Sequence, residues 1–172
     1  MKPIVWLGIP VGLFVLMQLV PVGRDHTNPP VTAPVRWDSP ATEAIARRAC
    51  YDCHSNETRW PWYSNVAPIS WLVADHVKEG RSRLNFSAFD PGNRRAAHAA
   101  EEAPEEVQKG EMPLKQYLPM HPEARLSAEE KAALIRGLTA TFAPAGGGVG
   151  EEGAPQSGAP AKNEQEQGDD DD

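Results

Sequence analysis

The chain has 172 residues and a formal net charge of −7, which leaves room for one compact domain with appendages. The acidity is local: eight acidic residues and Lys162 alone lie beyond Gly150, while the rest carries 16 basic and 16 acidic residues. No concentrated basic face exists, so no nucleic-acid partner is expected.

From Pro3 to Val22 the sequence PIVWLGIPVGLFVLMQLVPV holds no charge. Twenty helical residues rise about 30 Å, enough to cross the hydrocarbon core of a bilayer. No small-x-small cleavage site follows, so residues 1–23 read as an uncleaved transmembrane anchor rather than a removed signal. Pro10 and Gly12 are tolerated in membrane helices. Residues 24–38 contain Asn28-Pro29-Pro30 and Pro34. That density of proline predicts an extended linker that holds the domain off the membrane without folding onto it.

Ser39 is placed to cap a helix with Pro40 at its first position. The helix is expected to run through TEAIARRACYDCH, with Ile45, Ala49 and Cys53 on one face. Its last turn is Cys50-Tyr51-Asp52-Cys53-His54, holding the only two cysteines of the chain. This order is the attachment motif for c-type haem. Residues three and four apart share a helical face, so two thiols reach the two vinyl groups of one porphyrin and the next imidazole lies under the iron. Two other uses of the cysteines were weighed. A thioredoxin-like disulfide would want a βαβ setting. A zinc site would want a second pair of ligands, but His26, His76, His98 and His121 are scattered singly.

Trp60, Trp62, Tyr63 and Trp71 follow within twelve residues, a cluster expected to bury aromatic surface beside the haem. A helix from about Pro68 carries Trp71, Leu72 and His76 and is expected to end at Gly80. Asn85-Phe86-Ser87-Ala88-Phe89 reads as a loop packing two aromatics inward. Residues 90–109 read as a polar helix interrupted before Pro104. Its Glu101, Glu102, Glu105 and Glu106 form a solvated face with no assigned chemistry. Gly110-Glu111-Met112-Pro113 then offers a thioether, the common sixth haem ligand. Met112 stands 58 residues beyond His54, and the proline behind it disfavours helix. Met120, His121 and His76 are rival ligands, and a vacant position is a further alternative. Ser127 opens the last helix with a capping box, and Leu134, Leu138 and Phe142 make one apolar face. Residues 143–172 have almost no apolar bulk and are expected to be a disordered acidic tail.

Two resemblances follow. The helix ending in CYDCH, the Met-Pro segment and the final helix after Leu126-Ser127 are similar in layout to class I cytochromes c, in which first and last helices cross. More closely, CYDCHSNETRWPWYSNVAPISWL, HVKEGRSRLNFS and GEMPLKQYLPMHPEARLS resemble the bacterial haem-binding domain family, over Trp37 to about Phe142. That resemblance implies that Cys50 and Cys53 attach haem and that His54 is the proximal ligand of its iron. The expectation is an all-α, cytochrome c-like domain at 39–142 around one covalently attached haem c. Its function would be single-electron transfer with His54 and Met112 as axial ligands, rather than enzymatic catalysis. Haem attachment of this type takes place outside the cytoplasmic membrane, so the domain would face the periplasm or cell exterior. Periplasmic or membrane redox proteins would be its partners. A haem-based redox or gas sensor with a labile sixth ligand is the alternative, and a haem peroxidase the weakest reading.

Overall fold

The computed structural model describes residues 4–143. Within them the chain is all-helical: α1 (Ile4–Gln18), α2 (Pro40–Ala49), α3 (Tyr51–His54), α4 (Ile69–Arg83), α5 (Arg94–Lys109) and α6 (Ala128–Phe142). Short 3₁₀ turns occupy Trp62–Asn65 and Pro122–Ala124. The acidic tail expected at 143–172 lies outside the described residues, apart from Ala143.

The first helix is shorter than its apolar stretch. It ends at Gln18, not Val22, after 15 residues. The reason is tertiary. The Gln18 amide turns sideways and holds both backbone polar groups of one residue of the domain: Nε2 donates to Ala67 O at 2.9 Å, and Oε1 accepts the Ala67 N–H at 3.0 Å. Gly23, at φ 75°, then brings the backbone against Ser70, where a Cβ would overlap the Ser70 carbonyl. Among the described residues no helix is long and apolar enough to cross a membrane.

The expected free linker is instead laid along the domain. The Asn28 side chain donates to Thr58 O, and Pro30 O accepts from the Asn56 amide at 2.8 Å. Val35 N–H donates to Phe86 O at 2.8 Å, beside an isolated parallel bridge between Ala33 and Ala88. Prolines that favour extended backbone thus present it to loop partners whose groups would otherwise be buried unpaired.

The helix expected to continue from Pro40 to His54 breaks at Cys50 (φ −125°, ψ −32°). Its two parts have different partners: α2 crosses α6, while α3 packs on α4. At the α2–α6 crossing, a Cβ on Gly137 would overlap the Thr42 side chain. Arg48 Nη2 ties the same pair of helices through Glu130 Oε1 at 2.7 Å. Thr42, Ala46 and Ala49 are the buried residues of α2, so small side chains permit close approach, as in the predicted crossing of first and last helices.

The fourth helix passes through Gly80 and ends at Arg83. Gly80 is therefore a contact residue, not a cap. Helix α5 continues through Pro104. The proline removes one backbone hydrogen bond, but Ala100 and Val107 on either side are buried in the core shared with α6. Gly110, at φ 74°, closes α5 in the left-handed conformation that glycine adopts without a steric cost. The predicted capping box of α6 is present: Ser127 Oγ accepts from Glu130 N–H at 3.1 Å, and Glu130 Oε2 accepts from Ser127 N–H at 2.9 Å. Ser127→Ala should lower stability by about 1 kcal/mol, as read from the midpoint of chemical unfolding.

The core gathers Ala46, Tyr51, Leu84, Phe86, Ala100, Val107, Leu134 and Leu138. Phe86 meets Trp37 edge-on at 5.1 Å, and Phe89 packs on Phe142 at 5.3 Å, so the expected inward loop forms. The tryptophan cluster is placed differently. Trp62 is 71% exposed, and Trp60 stacks on His26 at 4.4 Å.

Candidate cofactor site

One cavity of about 480 Å³ opens between α3, α4, α5 and the segment joining α5 to α6. Its volume suits an organic cofactor. Cys50, Cys53 and His54 form one wall with His76, Gly80 and Arg83 of α4, while Met112, Leu114 and Tyr117 come from the joining segment. Leu84, Phe86, Val107 and Leu138 complete an apolar lining. None of the tryptophans of the 60–71 cluster reaches it. That expectation fails: Trp60 stacks instead on His26 of the N-terminal segment, and Trp62 is exposed.

The motif is held rigidly. Gly80 lies so close to α3 that a Cβ there would stand 2.5 Å from Cys53 O. His54 Nδ1 bonds Leu84 O at 3.0 Å, and Phe86 N–H donates to His54 O at 2.7 Å. With Nδ1 committed to a carbonyl, that nitrogen carries the proton and Nε2 is the atom left to bind a metal. Burial lowers the pKa of His54, opposed by the Leu84 and Gly80 carbonyls. The ring is therefore neutral, the form that ligates iron.

Both cysteines are mostly buried in the wall of the cavity. Burial pushes Cys50 up to about 12, with Cys53 adding to it. Burial, then the Asp52 charge, pushes Cys53 up to about 11. A redox-active or zinc-binding pair needs ready thiolates, and this setting disfavours them. No three His, Cys, Asp or Glu side chains converge as an ion site among the described residues. Two adjacent thiols, a neutral imidazole, a thioether and an apolar chamber fit a haem better than a bare ion.

The rival sixth ligands separate by position. Met112 and His76 both line the cavity. Met120 is 55% exposed and lies apart from it. His121 is buried with both nitrogens engaged: Nε2 with the Tyr63 hydroxyl at 2.6 Å and Nδ1 with Glu123 Oε1 at 2.9 Å. His76 projects from α4, the helix that also braces Cys53 and His54, whereas Met112 comes from a different segment.

Sequence reasoning missed Asp52, Tyr117 and Gly80. The Asp52 carboxylate, 11% exposed, accepts from Tyr117 OH at 2.7 Å and from Arg59 N–H at 3.0 Å. Burial first, then Asp52, raises the Tyr117 pKa far above its usual value, so the phenol remains a donor. Tyr117 also stacks on His121 at 3.8 Å. An acidic residue inside the motif was the one sequence signal; nothing in the chain pattern paired it with Tyr117. Glu102 and Glu106, assigned no chemistry, line the cavity wall.

The family described as haem-binding domain matches residues 12–140, three quarters of the chain. The match begins well before Trp37, where the resemblance in the sequence starts, and takes in the end of α1 and the docked segment. No curated protein and no solved structure matches the chain. The cavity and the extent of this match lead to one conclusion: the chain belongs to the haem-binding domain family.

Proposed function

We propose that this protein is a membrane-anchored, mono-haem c-type cytochrome with a cytochrome c-like domain, an electron carrier and not an enzyme. One observation carries the reading: both cysteines, His54 and Met112 line a single apolar cavity. Cys50 and Cys53 hold the haem through thioether bonds, His54 Nε2 is the proximal ligand, and Met112 Sδ is the distal one. Bound haem supplies a one-electron iron couple whose potential a methionine ligand raises. The chain's own work is to hold the imidazole through Leu84 O, present the thioether from a loop, and keep water from the chamber. With both axial positions filled, substrate chemistry is disfavoured and single-electron exchange with periplasmic or membrane redox partners is favoured. Residues 1–23 anchor the protein in the bacterial inner membrane, with the domain facing the periplasm or cell exterior. The uncharged stretch before Arg24 supports this.

One observation favours a second reading. His76 shares the cavity, so a labile or exchangeable sixth ligand would make the protein a redox or gas sensor. Absorption and resonance Raman spectra of the purified chain distinguish the two. Electron transfer predicts six-coordinate, low-spin haem in both redox states. Met112→Ala should then abolish the sulfur-to-iron charge-transfer band and lower the potential, while His76→Ala leaves both unchanged. A five-coordinate ferrous haem that binds carbon monoxide rapidly sinks the proposal in favour of sensing. Separately, haem freed completely by acid-acetone extraction disproves the thioether bonds.

A further inference from the structure

Helix α1 exposes Leu13, Phe14, Val15 and Leu16 in succession. Four consecutive helical residues point around the whole circumference, so α1 is apolar on every side and the domain covers little of it. An all-round apolar helix needs an apolar surrounding. The helix cannot be drawn out freely at its C-terminal end, because the two Gln18–Ala67 hydrogen bonds fix it to the domain. Arg24, the first charge after Lys2, bonds Gln18 Oε1 at 3.1 Å at the same end.

The domain has its own apolar surface at that junction. Trp62 is 71% exposed, Ile69 46% and Leu72 52%. They lie on the Trp62–Asn65 turn and the start of α4, the two elements on either side of Ala67. None of the three lines the cofactor cavity. Groups flanking a membrane helix settle in the interface, where tryptophan is the favoured side chain.

We propose that Trp62, Ile69 and Leu72 rest in the headgroup region of the bilayer that α1 enters, so that the domain is docked in one orientation instead of swinging on a tether. The inference rests on the anchor reading above. Lipid is the occupant because the patch flanks Ala67, the residue to which Gln18 clamps the exposed, apolar α1.

The test uses the full haem-loaded chain in phospholipid vesicles carrying a photoactivatable group either near the headgroup or in mid-acyl chain, with labelled peptides mapped by mass spectrometry. The headgroup probe should label 62–72 as well as 20–24, and the mid-acyl probe α1 alone. In the triple variant Trp62→Gln, Ile69→Gln, Leu72→Gln, labelling at 62–72 should fall about tenfold, with the haem spectrum unchanged. Acyl labelling of α1 without headgroup labelling at 62–72 overturns the docking and keeps the anchor. Cross-links from 62–72 to another protein chain instead of lipid also overturn it. If the acyl probe labels no part of α1, the anchor reading itself falls.

Discussion

Gly80→Ala should yield little haem-loaded protein, and what forms should melt well below the parent. The new methyl group would stand 2.5 Å from Cys53 O and 3.0 Å from Cys53 C. Both are backbone atoms of the attachment motif and cannot rotate away, so α4 must retreat from α3. Overpacking typically costs about 1–3 kcal/mol, and a backbone obstacle places this site at the upper end. That is a large share of the roughly 5–15 kcal/mol that holds a domain folded. The retreat also pulls Leu84 O from His54 Nδ1, so the His54 imidazole loses its brace. Gly12→Ala is the control, because nothing lies within 4 Å of a Cβ there. Haem content per chain and the thermal midpoint decide the matter; a Gly80→Ala protein with parental values would show that α4 does not pack on the motif as described.

Tyr117→Phe is expected to be the second severe change. It removes the phenol donating to Asp52 Oδ2 at 2.7 Å and leaves a mostly buried carboxylate short of a partner. Hydrogen bonds to charged groups contribute about 1.5–3 kcal/mol, and an unpaired buried acceptor adds its desolvation cost. The bond joins the motif to the segment carrying Met112, so on the proposed ligation the loss should also reach the thioether. Part of the haem should lose low-spin character, with a weaker sulfur-to-iron band. Asp52→Asn restores a neutral acceptor for Tyr117 and should be milder than Tyr117→Phe in both readouts. Equal stability and an identical spectrum in Tyr117→Phe would show that this bond holds nothing in place.

Residues close together in sequence were legible. The cap at Ser39, the capping box at Ser127, the Cys-x-x-Cys-His spacing and the loop position of Met112 each depend on groups a few positions apart, and each stands in the fold where the pattern put it. Long-range packing was less readable. Gly80 resembles a helix terminator until α3 lies against it, and Pro104 a breaker until the flanking Ala100 and Val107 are buried. The tryptophans near the motif looked like haem neighbours, yet Trp60 stacks on His26 of the N-terminal segment and Trp62 is exposed. The prolines of 24–38 reported extended backbone correctly. They carried no information on whether that backbone would find hydrogen-bond partners in the 56–58 and 86–88 regions.

The sequence by itself determined the cofactor class, the all-helical fold and the candidate ligands, because spacing within a helical turn and side-chain chemistry are local properties. Only the tertiary structure decided which candidates share a chamber. It gathers Met112 and His76 at the cavity, exposes Met120, and occupies both nitrogens of His121. It also decided that Asp52 and Tyr117 meet across 65 residues. Such pairings arise from the way α3 packs on α4 and α5 packs on α6, and a linear pattern of apolar and polar residues does not encode that distance.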